Sequence, residues 1–288
     1  MTEAAAKTST GPTFVVAIEQ SFPKNLRIVN DDLAIQIMPL SYRIFARLMQ
    51  IGFIRDWMIN WYEKNVPGTW GGMLCRKRYI NDRLNEIAPQ IDGVVNLGAG
   101  LDTRVYTIDS ISKLPIWELD QKTVIKNKQK QLTKIYGTIP YNIKNVGIDF
   151  DVEDIGEVLN RNGYSSNKKI FFIWEAVTQY LEEESIRKMF DFLSHAQSGS
   201  KIAFTYVLRD FIDGKKMYDM EYFYKNEVLK KIWIFGFGPE ELPQFLENYG
   251  WKLIEDVGGD DLAEKYVKPT GRKFATTPIE RMIFAEKI

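Results

Sequence analysis

Val94-Val95-Asn96-Leu97-Gly98-Ala99-Gly100-Leu101-Asp102-Thr103-Arg104 is the stretch on which the fold turns. Its first four residues read as a short buried strand that runs directly into a Gly-x-Gly turn. Glycines there let the backbone approach a ligand with no Cβ in the way. Twenty residues after Gly100, Ile116-Trp117-Glu118-Leu119-Asp120 reads as a second buried strand closing on a carboxylate. An acid at the end of the second strand, about 20 residues past the glycines, is the expected partner of ribose hydroxyls. The pair points to a cofactor containing adenosine. A dinucleotide loop wants a third small residue where Thr103 stands, and Asp102 would oppose a pyrophosphate, so NAD is disfavoured. No Gly-Lys-Ser/Thr follows the loop, which excludes a Walker A phosphate cradle.

Working outward, further strands are expected at 141–146, 170–174, 201–207, 251–257 and 282–285. Helical patterns fall between them at 122–136, 155–160, 183–195 and 239–249. Short apolar strands alternating with helices predict a parallel, doubly wound α/β sheet. Such sheets bind ligands beyond the carboxyl ends of their strands. Residues 1–12 are polar and read as frayed. From Phe14 to Leu48 the apolar spacing is helical, interrupted at Pro23 and Pro39, and further helices are expected at 53–63 and 73–87 after a flexible Gly71-Gly72 pair. Residues 1–288 therefore read as one domain: a helical N-terminal cap over 1–90 and an α/β core over 91–288. Residues 208–238 break the strand–helix rhythm and read as a lid inserted after the fifth strand.

The 288 residues carry 38 basic and 38 acidic side chains, so the formal net charge is zero and no global basic excess supports nucleic-acid binding. The lysines between 122 and 130 read as a solvated helix face. Cys75 and His195 are the only residues of their kinds, which excludes an intrachain disulfide, a thiolate metal cluster and a His-rich zinc site. No secretory leader and no apolar run of membrane-spanning length is present, so a cytoplasmic protein with no membrane partner is expected. Aromatic residues make up 13%, implying large buried rings or an apolar ligand pocket.

The stretch from Asn96 to Arg104 resembles the S-adenosylmethionine loop of the leucine carboxyl methyltransferase family, which includes phosphatase carboxyl methyltransferases and tetracenomycin-type polyketide O-methyltransferases. Three further segments resemble the family in order: Arg76-Lys77-Arg78-Tyr79-Ile80-Asn81-Asp82, Val146-Gly147-Ile148-Asp149-Phe150 and Trp174-Glu175-Ala176-Val177-Thr178-Gln179-Tyr180-Leu181. Pro239-Glu240-Glu241-Leu242 through Gly250-Trp251 is similar to its late helix and strand. The resemblance implies a Rossmann-like class I methyltransferase with a seven-stranded, mostly parallel sheet of order 3-2-1-4-5-7-6. It also implies S-adenosyl-L-methionine as cofactor, with S-adenosyl-L-homocysteine as product.

By that resemblance Arg76 would hold the methionyl carboxylate with a bidentate fork. Gly98 and Gly100 would pass under the methionyl chain, Asp120 would accept from the ribose hydroxyls, Asp149 from the adenine amine, Phe150 would offer its amide and ring, and Glu175 would face the amine or sulfonium. Read without the resemblance, Arg76 belongs to a solvated basic run, Asp149 to a helix cap near Ile155 and Phe150 to the core. A charge ending an apolar strand, as Glu175 does, points to function, because an unpaired buried carboxylate is costly.

Methyl transfer from a sulfonium needs alignment more than acid–base help. A carboxylate acceptor is already ionised, whereas a hydroxyl needs its proton removed. His195 reads as a helix C-terminal residue favoured by the dipole and not as a base, which tilts the expectation towards a carboxylate, or a hydroxyl assisted by a carboxylate or tyrosine. Tyr206 and Arg209, at the end of the fifth strand, join Glu175 as candidates for positioning the acceptor; Arg209 would equally pair with Asp210 or Asp213. The acceptor pocket is expected between cap and insertion, with Trp57, Trp61, Tyr62, Trp70, Tyr218, Tyr222, Phe223 and Tyr224 as wall or core. The expected activity is O-methylation of a small molecule of secondary metabolism, with no metal. Its rivals are a protein C-terminal carboxyl methyltransferase, an S-adenosylmethionine-binding protein without catalysis, and an NAD-dependent oxidoreductase.

Overall fold

A computed structural model describes residues 10–150 and 152–288; residues 1–9, most of the stretch expected to fray, and Asp151 lie outside the described residues. Thr10–Pro12, expected to fray with them, instead open the helix α1, Thr10–Glu19. The cap continues with α2 (Leu33–Ile37), α3 (Leu40–Leu48), α4 (Gly52–Asn65) and α5 (Thr69–Ile87). Pro39 stands at the N-cap of α3, where a residue without an N–H costs nothing to the helix. The Gly71-Gly72 pair, expected to be a flexible lead-in, lies inside α5. A Cβ on Gly71 would fall on the Ala275 carbonyl oxygen, and one on Gly72 would sit 2.7 Å from Thr277 Cγ2. The glycines let α5 pack against the chain that leads into the last strand.

The core alternates β1 (Gly93–Leu97), β2 (Ile116–Gln121), α6 (Lys122–Tyr136), β3 (Ile143–Ile148), α7 (Ile155–Arg161), β4 (Ile170–Trp174), α8 (Glu183–Ser194) and β5 (Lys201–Val207). It ends with α9 (Leu242–Asn248), β6 (Trp251–Val257) and β7 (Glu280–Lys287). The sheet has seven strands in the order β3-β2-β1-β4-β5-β7-β6. Strands β1 to β5 run parallel, and β7 is antiparallel to both β5 and β6.

The central strands β1, β4 and β5 are buried on both faces, which is why they read as near-continuous apolar runs. Val94 pairs with Ile116 and Phe171, and these three face a core shared with Val16 of α1 and Leu74, Ile80 and Leu84 of α5. One residue on, Val95 pairs with Trp117 and Phe172 and faces the opposite core, built on Leu159 of α7, Phe190 of α8 and Leu246 of α9. The 208–238 segment, expected as a lid, contains the short helices Arg209–Ile212 and Glu221–Phe223, a π-turn at Tyr224–Val228 and then irregular chain. It stays in contact with the core through Phe211 and Met220, both buried.

Candidate cofactor and acceptor site

The chain leaves β1 through Gly98 (φ +72°) and Gly100 (φ +46°), both left-handed. A Cβ on Gly98 would stand 2.5 Å from Val177 Cγ2, so only glycine leaves the turn open. The amides of Gly98 and Ala99 donate to the Leu119 carbonyl, and that of Gly100 donates to Asp120 Oδ2 at 2.7 Å. The loop is thereby tied to the end of β2. Burial pushes the Asp120 carboxyl above its ordinary range, partly offset by the amides of Gly100 and Gln121.

A cavity of about 470 Å³ opens over the carboxyl ends of the parallel strands. Its floor is Gly98–Asp102, Asp120, Glu175–Val177 and Val207; its walls include Phe14, Tyr42, Tyr62 and Met73 from the cap and Met220, Phe223, Glu227 and Trp233 from the insertion. Cap and insertion thus meet over one chamber. Of the aromatic candidates, Tyr62 and Phe223 line it. Trp70 is core, Trp57, Trp61 and Tyr222 are exposed, Tyr218 donates to Asp210, and Tyr224 packs on Phe211.

A network of buried charges braces the floor. Arg76, expected on a solvated face when read by itself, is buried on α5: Nε donates to Glu175 Oε1 at 2.9 Å and Nη1 to both oxygens of Glu280 at 3.1 and 3.0 Å. Arg104 reaches the other oxygen of Glu175 through Nη2 and donates from Nε to Asp102 Oδ2 at 2.5 Å. Lys77 donates to Asp102 Oδ1 at 2.5 Å and lies 3.4 Å from Asp31. Burial works against the charge of Asp102, but Arg104 and Lys77 outweigh it and hold the carboxyl far below its usual range. Burial likewise opposes the charge on Arg76, and Glu280 and Glu175 more than restore it. Ala176, next to Glu175, holds φ +55°, a strained conformation for a residue with a Cβ, and its amide is pinned to Thr205 Oγ1 at 2.8 Å.

Arg76, Gly98, Gly100, Asp120 and Glu175 are brought together around this cavity. Asp149 and Phe150 are not part of its wall. Asp149 is exposed and its amide donates to Glu153 Oε2 at 3.0 Å; Phe150 packs half-buried on the α7–α8 side, and the helix cap near Ile155 is Asp154. Tyr206 and Arg209, expected to position the acceptor, do not reach the cavity. Tyr206 is fully buried opposite Arg281 in the β5–β7 pairing, and its hydroxyl donates to Asp256 at 2.8 Å, so the sheet itself uses it. The Arg209 guanidinium turns outward to the Gly236 carbonyl at 3.0 Å and to Glu241 at 2.9 Å, neither of the acids next to it in sequence. His195 is the C-cap of α8, its Nδ1 2.9 Å from the Asp191 carbonyl.

Sequence reasoning missed Lys77, Asp102, Arg104, Gln179, Glu227 and Glu280 as members of the cavity wall. Lys77, Asp102, Arg104 and Gln179 lie within recognisable motifs, and a buried role was available for each. Glu280 meets Arg76 across 204 residues, and no local pattern announces that pairing.

The donor set suits S-adenosylmethionine. The turn needs glycine at Gly98, Asp120 offers a buried carboxylate for hydroxyls, and Arg104 Nη1 and Gln179 Oε1 are buried without a partner among the described residues. Residues 9–194 match the sequence profile of the family described as leucine carboxyl methyltransferase. A protein of Mycobacterium marinum is 31% identical over 131 residues, covering 44% of this chain and 43% of its own length. YktD of Bacillus subtilis is 27% identical over 202 residues, covering 67% and 65%. Both bear the provisional name of S-adenosyl-L-methionine-dependent methyltransferase. The matched stretches span less than two thirds of these relatives' length. Among solved structures, a methyltransferase so named provisionally from Thermobifida fusca superposes with a TM-score of 0.57 at 13% identity, covering 94% of this chain and 97% of its own. A DUF574-family protein from Streptomyces avermitilis gives a TM-score of 0.57 at 14% identity, covering 80% and 88%. Among the described residues, no helix is long and apolar enough to cross a membrane. With a profile match over most of its length on a sheet of this order, the chain belongs to the leucine carboxyl methyltransferase family of S-adenosylmethionine-dependent, class I methyltransferases.

Proposed function

We propose that the protein transfers the methyl group of S-adenosylmethionine to an oxygen of a small acceptor. The observation that carries this reading is one shared cavity: it joins the Gly98–Gly100 turn, Asp120 and the Arg76–Glu175 pair to rings from the N-terminal helices and the 208–238 segment. When bound, the cofactor supplies a methyl group already activated on a sulfonium. The chain's own part is placement. Gly98 and Gly100 keep the floor open, and Asp120 accepts from ribose hydroxyls. Arg104 Nη1, unpartnered among the described residues, offers a donor to a carboxylate with Arg76 behind Glu175 beside it, and Glu175 offers negative charge to an amine. Aligning two reactants in one chamber is the main contribution an enzyme makes to such a displacement. A roof made of both cap and insertion favours a small acceptor over a peptide terminus, which needs an open groove.

Thermal-shift assays with S-adenosylmethionine, S-adenosylhomocysteine and NAD in separate wells test the reading. At about 100 times its dissociation constant a ligand adds about 2.7 kcal/mol, which is on the order of 5–10 °C for a chain of this size. Rises with the first two alone are expected. A rise with NAD alone would overturn the proposal.

A further inference from the structure

Resting on the methyl-transfer reading above, we propose that Glu227 is the acceptor-side base, and that it selects a neutral hydroxylated ring over a carboxylate. The first observation is charge. Among the described residues, five carboxylates line the cavity (Asp102, Asp120, Glu175, Glu227 and Glu280) against three cations. Those three cations, Arg76, Lys77 and Arg104, are each already bonded to carboxylates of the floor. An acceptor carboxylate would add to an excess of carboxylates over cations among the described lining residues, and like charges in a low-dielectric site repel strongly.

The second observation is the wall itself. Glu227 is the only carboxylate that the insertion contributes to the cavity lining, and among the described residues no hydrogen bond or ion pair is made by its carboxylate. Lys230 influences it electrostatically, but the Lys230 ammonium is bonded to Asn226. Backbone bonds hold Glu227 beside the other polar groups of this wall: the Trp233 amide donates to the Glu227 carbonyl at 3.0 Å, and the Ile234 amide to the Gln179 carbonyl at 2.8 Å. Trp233 Nε1 and Gln179 Oε1 are buried and unpartnered among the described residues. Trp233 also stacks on Phe223 at 5.5 Å, giving the wall flat apolar faces. One unpaired donor, two unpaired acceptors and stacked rings match a phenolic hydroxyl, which both donates and accepts.

In the reaction the acceptor oxygen bonds to the methyl carbon while the carbon–sulfur bond breaks and its electron pair stays on sulfur. The hydroxyl proton passes to a Glu227 oxygen and from there to solvent. Burial raises the proton affinity of Glu227, with Lys230 opposing, which brings it closer to that of a phenol.

The test compares 2-naphthol with 2-naphthoate, titrated into protein saturated with S-adenosylhomocysteine, in wild type and Glu227→Gln. Wild type is expected to bind the naphthol at least about tenfold tighter, and the substitution to shrink that ratio by about tenfold while leaving S-adenosylhomocysteine affinity unchanged. In turnover, Glu227→Gln is expected to lose about 100-fold with 2-naphthol and to recover most of that with 4-nitrophenol, which arrives ionised. Tighter binding of naphthoate by wild type, a ratio unmoved by the substitution, equal losses with both phenols, or binding of neither naphthyl compound would each overturn the assignment. Failure of S-adenosylhomocysteine itself to bind would instead overturn the methyl-transfer reading.

Discussion

Lys128 and Glu118 form an ion pair that water does not reach, and replacing Lys128 by Met should expose what that pairing is worth. Both side chains are fully buried, with Nζ 2.8 Å from Glu118 Oε1. The other Glu118 oxygen accepts from the Tyr106 hydroxyl and Asn145 Nδ2, each at 2.8 Å. The pair clamps α6 to β2 two residues before Asp120. Lys128→Met is close in length and leaves little cavity, so the loss comes from a buried carboxylate stripped of its cation. Such losses run to about 3–5 kcal/mol, out of a total stability of about 5–15 kcal/mol. In urea, at a slope of about 3 kcal/mol per molar, the midpoint should fall by about 1–1.7 M. Adding Glu118→Gln should recover at least about 1.5 kcal/mol, because the amide still offers an oxygen to Tyr106 or Asn145 without a charge to bury.

The pH dependence carries a definite sign. Burial holds the Glu118 carboxyl above its ordinary range even with Lys128 opposing. The native state therefore keeps that proton more tightly than the unfolded chain, and stability falls as pH rises from the ordinary glutamate range through the raised value. Removing Lys128 raises it further, so the deficit of the single variant should be smaller near pH 5 than near pH 8. A midpoint shift under about 0.3 M, or a deficit larger in acid, would refute the argument.

Gly98→Ala should cost about 1–2 kcal/mol for the left-handed backbone and should also weaken S-adenosylhomocysteine binding, since its Cβ meets Val177; calorimetry on the folded variant reads both. Arg76→Lys keeps the charge but loses the fork that spans Glu175 and Glu280, and a roughly tenfold rise in the S-adenosylhomocysteine dissociation constant is expected by titration. Burial, seconded by Glu19, pushes the Cys75 thiol up to about 12. It stays protonated at every ordinary pH, so a thiol reagent near pH 8 should label native protein only as fast as the chain opens, and denatured protein at once.

Strands β4 and β5 coincide with their expected bounds because both-face burial leaves an apolar run and turn residues at each end that a single sequence displays, and the edge strand β6 and helix α6 also match theirs. The Gly98–Gly100 turn and Asp120 were legible for the same local reason: a left-handed turn demands glycine, and a carboxylate at a strand end has no apolar excuse. Lys128 shows where that legibility stops. Its neighbours in a lysine-rich helix are solvated, and only the packing of α6 on β2 turns this one lysine inward onto Glu118. Arg76 is the same case, a basic run whose first member is aimed at Glu175 and at Glu280 from the far end of the chain. Tyr206 and Arg209 went the other way, drawn from the site by Asp256 and Glu241.

What the sequence determined by itself was everything set by near neighbours: strand–helix rhythm, the glycine turn and the acid that follows it. Which charges face the cavity and which hold the fold together was decided by contacts between residues tens to hundreds of positions apart. The reason is physical. A buried charge needs a partner of opposite sign within about 4 Å, and only the assembled sheet and its helices say which partner that is.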